Sequence, residues 1–123
     1  MKFDDKQPIY LQIADHFCSQ IISGKWKSEE RIPSVREVAS LLEVNPNTAM
    51  RAYHYLQEQE IISQQRGVGY FVNGNAKDKI IKLMREQFIC DELPEFFRKM
   101  EQLGYSLSDI QKIYDHQNNG SSS

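Results

Sequence analysis

The chain has 123 residues, 40% hydrophobic and 26% charged, with a formal net charge of −2. That is the make-up of a soluble globular domain, or of a small domain with an appendage, and its apolar runs are too short to span a bilayer. Binding through overall positive charge is excluded. Residues 1–75 carry eight Lys/Arg against nine Asp/Glu, and residues 76–123 carry seven against eight, so any grip on a polyanion must be local.

The chain starts Met1-Lys-Phe-Asp-Asp-Lys6, with acid where a signal peptide turns apolar. A cytoplasmic protein is expected, with Cys18 and Cys90 as reduced thiols. Residues 8–22 form an amphipathic helix. Ile9, Ile13, Phe17 and Ile21 recur at i+4, and Tyr10, Ala14 and Ile22 widen the stripe. Pro8 suits the first turn and Gly24 the stop. Trp26 is expected over the edge of the core.

A second helix opens at Ser34. Ser34 and Glu37 have the S-x-x-E spacing of a capping box, and Val35, Val38, Leu41 and Leu42 supply the buried face. The third helix opens at Asn45, a strong cap, with Pro46 in the first helical position. Ala49, Ala52, Tyr53 and Leu56 point inward. Asn47, Met50, Arg51 and His54 point outward, starting at a helix N-terminus whose free N–H groups and dipole favour phosphate.

Ile61–Gln65 and Gly69–Asn73 read as two strands, with Arg66, Gly67 and Val68 as the tip and Gly67 supplying a positive φ. A helix is expected over Lys77–Met84. Apolar spacing continues through Phe88, Ile89, Phe96, Phe97 and Met100, with a kink or restart forced by Pro94 and a stop at Gly104. Ser106 and Asp109 start a last helix over 107–116, and the polar tail 118–123 is expected to be disordered.

Two short helices, a tight turn and a Gly-tipped hairpin, in that order, are the plan of a winged helix-turn-helix. The fold expected is mainly α with a small β-hairpin: a DNA-binding domain over 1–75, then a helical dimerisation segment over 76–117. Ser34 and Arg36 sit at a helix start and make a phosphate clamp, although Arg36 could instead read guanine. Asn47 is the best adenine reader, Thr48 suits phosphate or a thymine methyl, and Arg66 can enter a minor groove.

Other chemistry is poorly supported. His16, His54 and His116 lack metal-ligand spacing with the cysteines. Asp4-Asp5 and Glu29-Glu30 read as solvated loop charge, not as a catalytic pair. Gly67-Val-Gly69 lies between strands, unlike a dinucleotide fingerprint. No cofactor, metal or catalytic residue is implied. Phe88, Phe96, Phe97 and Tyr105 read as core or dimer contact. The alternative to DNA binding is a winged-helix protein-interaction module, which the near-neutral charge favours and the polar stripe disfavours.

Gln7-Pro-Ile-Tyr-Leu-Gln-Ile13, Ile22-Ser-Gly-Lys-Trp26, Ile32-Pro-Ser-Val-Arg-Glu-Val-Ala39, Val44-Asn-Pro-Asn-Thr48, Ala52-Tyr53 and Arg66-Gly-Val-Gly-Tyr-Phe-Val72 resemble the GntR family of bacterial transcription regulators, in order and in spacing. The short part beyond residue 73 resembles the YtrA-type branch, whose members dimerise through C-terminal helices and lack a large effector domain. The resemblance implies a homodimeric regulator, most simply a repressor, on an inverted-repeat operator. It places Arg36, Asn45, Asn47, Thr48, Arg66 and Gly67 at DNA-contact positions. Pro46 and Met50 stand where other branches carry basic residues, and Glu43 stands where Gly is common, a strain if its φ is positive. A small-molecule effector is an open candidate partner, although no polar constellation marks its pocket.

Overall fold

Tyr53 sits at the point where the apolar stripes of the first three helices meet the strands. A computed structural model describes residues 3, 5 and 7–121. Its elements are α1 (Ile9–Ile22), β1 (Arg31–Ile32), α2 (Val35–Leu42), α3 (Pro46–Glu58), β2 (Ile62–Gln65), β3 (Gly69–Val72), α4 (Ala76–Gln87), α5 (Leu93–Gln102) and α6 (Leu107–Ser121). The backbone forms two compact units, Met1–Leu83 and Met84–Ser123, divided within α4. The division falls later than the expected boundary at 75, because Ala76 and Ile80 are buried in the core of the first unit.

That core joins Ile13, Ala14, Phe17 and Ile21 of α1 to Ala49, Ala52, Tyr53 and Leu56 of α3, with Ile32, Ile62, Tyr70 and Val72 from the strands. Phe17 lies edge-on to both Trp26 and Tyr53, at 4.8 and 5.4 Å between centroids, so Trp26 covers the core edge as expected. Tyr53 is also edge-on to Tyr70, at 4.7 Å, and its hydroxyl donates to the Pro33 carbonyl. Two expectations for α1 change. Pro8 has extended backbone and is the cap itself, its carbonyl accepting from the N–H groups of Leu11 and Gln12. Ile9 is exposed, one turn short of the core.

The capping box of α2 is formed: the Glu37 N–H donates to Ser34 Oγ, and the Ser34 N–H donates to the Glu37 carboxylate. The buried stripe is Val35, Val38, Ala39 and Leu42, and Leu41 is 75% exposed. Spacings of three, four and seven from Val35 make one helical face, which Leu41 misses. Glu43 ends α2 with φ 54° and ψ 47°, in the left-handed region, while its N–H and that of Val44 close back on the last turn. Asn45 then caps α3, accepting from the Asn47 N–H at 2.8 Å, and Pro46 starts the helix.

β2 and β3 pair antiparallel from Ile62↔Val72 to Gln65↔Gly69, each one residue shorter than expected. On the far side of β3, β1 adds a strand that the sequence reading lacks, with Arg31↔Phe71 and Ile32↔Tyr70. Two residues are too few to show alternation. The signal that could have found them is Pro33, which pushes the residue before it into extended backbone.

In the second unit, Pro94 leaves its mark as expected. The helix widens to a π-helical turn over Phe88–Glu92 and restarts as α5. A residue without an N–H, whose ring crowds the turn before it, interrupts the regular ladder. Gly104, at φ 80°, ends α5, and Ser106 and Asp109 form a reciprocal cap for α6. Helix α6 runs to Ser121, past the expected end at 116, so residues 118–121 are helical instead of disordered tail. Once a capped first turn exists, each further residue adds a hydrogen bond at little cost. Asp4, Ser122 and Ser123 lie outside the described residues. Among the described residues no helix is long and apolar enough to cross a membrane.

Two stability predictions follow from this packing. Burial, with the neighbouring Tyr70 and Glu37, pushes the Tyr53 hydroxyl pKa well above the usual tyrosine value. Its stabilising contribution is therefore complete below the unfolded pKa near ~10 and is lost as pH rises toward the folded value. Tyr53→Phe should cost about 1–2 kcal/mol in urea unfolding at neutral pH, and its deficit against the wild type should shrink in alkali. Glu43→Gly, which relieves the left-handed strain, should raise stability by about 1 kcal/mol in the same assay.

Candidate nucleic-acid interface

α2 and α3 are joined by the tight turn at Glu43 and Val44, and this turn decides which side chains share a surface. Along α3 the inner face is filled by Ala49, Ala52, Tyr53 and Leu56, all fully buried. The opposite face must therefore carry Asn47, Arg51 and His54, and all three are exposed; Met50 and Thr48 flank them half-buried. The acids of this helix, Glu58 and the following Glu60, lie at its other end. Charge is thus separated along α3, and a polar, acid-free N-terminal half faces outward.

The start of α3 differs from the expectation of open N–H groups. Pro46 has none, Asn47 donates to Asn45 Oδ1, and Thr48 and Ala49 both donate to the Asn45 carbonyl. Asn45 is therefore first a cap, with its amide NH₂ left to donate outward. The open donors lie instead at the start of α2. There the N–H groups of Val35 and Arg36 meet no acceptor among the described residues, because the capping box serves only Ser34 and Glu37. The Ser34 hydroxyl accepts from Glu37 and keeps its proton to donate. Arg36 is exposed and forms no ion pair among the described residues; the Glu37 carboxylate is engaged with Ser34. Ser34, Arg36 and two backbone amides thus gather the donors that a phosphate requires.

Arg51 is tied to α1. Its guanidinium carbon lies 4.2 Å from the centroid of the Tyr10 ring, which is also edge-on to Tyr55 at 6.4 Å. Stacking restricts where this cation can reach and assigns it to the α1 side of the polar face. His54 stands one turn beyond Met50, exposed.

The wing carries Arg66 and Gly67 at its tip, both exposed, with Gly67 at φ 75° as the tight loop demands. Sequence reasoning missed Arg31. It lies on β1, is exposed, and runs its side chain across β3: a Cβ added at Gly69 would stand 2.8 Å from Arg31 Nε. The thiols differ in environment. Cys18, half-buried, has its pKa pushed up to about 12 by burial and by Asp15, whereas Cys90 is exposed on the π-helical turn.

A helix pair with a polar recognition face, donors at the start of its first helix and a cationic hairpin together define a winged helix-turn-helix DNA-binding protein. The family of bacterial regulatory proteins called gntR matches over residues 9–72, and this chain belongs to it. Over 109 residues it is 31% identical to YhcF, an HTH-type transcriptional regulator of Bacillus subtilis, covering 89% of this chain and 88% of that protein. Over 75 residues it is 37% identical to the HTH-type transcriptional repressor YtrA of the same organism, covering 61% of this chain and 58% of YtrA. A crystal structure of a GntR-family transcriptional regulator from Bacteroides thetaiotaomicron superposes with a TM-score of 0.79 at 47% identity, covering 92% of this chain and 98% of that one. The YtrA-type resemblance holds, and the chain is a transcription regulator with a DNA-binding helix-turn-helix, not an enzyme.

Proposed function

We propose that this regulator is a cytoplasmic repressor that binds an inverted-repeat operator as a homodimer. The observation that carries the reading is the acid-free N-terminal face of α3, with Asn47, Thr48, Arg51 and His54, flanked by the open donors of Ser34 and Arg36 and by the wing-tip pair Arg66 and Gly67. Residues 1–75 act as the DNA-binding domain. Asn47 reads base edges in the major groove, Asn45 and Thr48 hold the entry of the helix against the backbone, and Arg66 enters the minor groove. A repressor's role is supported by the similarity to YtrA, which bears that name. Steric occlusion of a promoter requires nothing beyond tight binding.

Dimerisation falls to the part of residues 76–117 that lies beyond the core of the first unit. Among the described residues of the second unit only Met100 is buried, while Phe88, Ile89, Phe96, Phe97, Tyr105 and Tyr114 are all exposed. So much apolar surface on a small helical unit favours a covering partner, and a second copy has the matching face. Two half-sites held by one dimer multiply modest single-site affinities. A small-molecule effector would act by changing the spacing of the two wings.

Arg36→Ala and Arg66→Ala should each weaken binding to a selected inverted-repeat duplex by about tenfold or more, with unchanged melting. Wild-type affinity in both variants would overturn the reading. Phe97→Asp should shift sedimentation from dimer toward monomer at micromolar concentration and lower operator affinity with it, while the first unit keeps its fold.

A further inference from the structure

The geometry points to Arg31 as a further DNA-contacting residue, which grips a phosphodiester beside the groove that the wing tip enters. This inference rests on the DNA-binding reading above and adds to it a residue outside the recognition helix and the hairpin tip.

The register fixes where the side chain goes. Arg31 pairs with Phe71, yet its Nε, Cζ and Nη2 lie 2.8, 3.4 and 3.4 Å from where a Cβ on Gly69 would stand. Gly69 is two residues nearer the tip than Phe71, so the arginine leans along β3 toward the tip. The missing side chain at Gly69 is what admits it: any Cβ there would collide with the guanidinium, and φ at Gly69 is 148°, a conformation L side chains rarely adopt. Gly69 pairs with Gln65 in the last rung of the hairpin, and Arg66 follows directly. Arg31 therefore leans toward the end of the wing that carries Arg66. β1 leads through Pro33 into Ser34, so that same end of the sheet adjoins the start of α2 and its open donors.

Among the described residues neither Arg31 nor Arg66 forms an ion pair, and the carboxylate of Glu30, just before β1, is engaged elsewhere. The Glu30 carboxylate accepts from the Lys27 N–H. Two cations at one end of the wing, with no carboxylate partner among the described residues, favour a bound anion. The head of Arg31 lies against β3 at Gly69 and not on the recognition helix. It can reach the sugar–phosphate edge that flanks the tip, where it would set how deeply Arg66 sits.

Phosphate contacts are independent of sequence, so the test uses a short duplex of random sequence, titrated by fluorescence anisotropy through a potassium chloride series. Arg31→Met keeps the aliphatic stem over Gly69 and removes the charge. It should bind several-fold more weakly at low salt, and its slope of log affinity against log salt should be shallower by about one. Arg31→Lys should keep the slope, and Lys112→Met, on α6, should not change it. If Arg31→Met melts lower than the wild type, Arg31→Gln repeats the measurement. An unchanged slope in Arg31→Met and Arg31→Gln, with Arg36→Ala still reducing it, would overturn this inference and leave the DNA-binding reading standing. An equal loss in Lys112→Met would overturn it too, by showing an effect of net charge alone. Absence of binding by the wild type would remove both.

Discussion

One phenol, that of Tyr53, reaches from the buried side of the recognition helix to the carbonyl of Pro33, just before the cap of α2. Its ring is wedged edge-on between Phe17 of α1 and Tyr70 of β3. Three elements and the entry to a fourth are thereby referred to one side chain. A rotation of α3 about its axis would strand the hydroxyl without a partner in a dry core, at a cost of about 1–3 kcal/mol for the lost bond. The polar face of α3 points outward because the opposite face is pinned at this position. The same bond holds the strand–helix junction that carries Ser34 and Arg36.

Electrostatics then works at short range. With a net charge of −2 the protein has no long-range attraction for DNA, and steering over more than a Debye length (about 8 Å in physiological salt) contributes little. What remains is placement. On α3 the acids lie at the far end, and Glu37 of α2 is engaged in a cap, while Glu43 stays exposed in the turn between them; Arg36, Arg51, Arg66 and Arg31 stand without carboxylate partners among the described residues. The capping chemistry is part of this arrangement. Asn45 satisfies the start of α3 so fully that the backbone amides of its first turn are not available to a ligand, whereas the box at α2 leaves two amides open. An N-terminal dipole remains at both helices, but direct backbone bonding to phosphate is a property of α2.

Much of this was legible in the chain. The capping box at Ser34 and Glu37, the Asn-Pro start of α3 and the four inward residues of that helix are local patterns, and each formed as read. The errors are equally local in origin. Leu41 is apolar, as a buried residue would be, but it falls off the stripe set by Val35, Val38 and Ala39 and stays exposed. β1 went unread because two residues carry no period. The polar end of α6 was expected to be disordered from composition, whereas helix propagation depends on the cap already in place at Ser106.

What the amino-acid sequence determines by itself is the order of elements, the family and the identity of most donors, since caps, turns and amphipathic spacing involve residues within a few positions of one another. The tertiary structure alone decides which donors stay open and where each cation is held. Arg31 and Gly69 are thirty-eight positions apart in the chain and adjoin only through the β1–β3 register, and Arg51 finds Tyr10 only because α1 packs against α3. Such pairings are set by the filling of one shared core, a global condition that no short window of sequence contains.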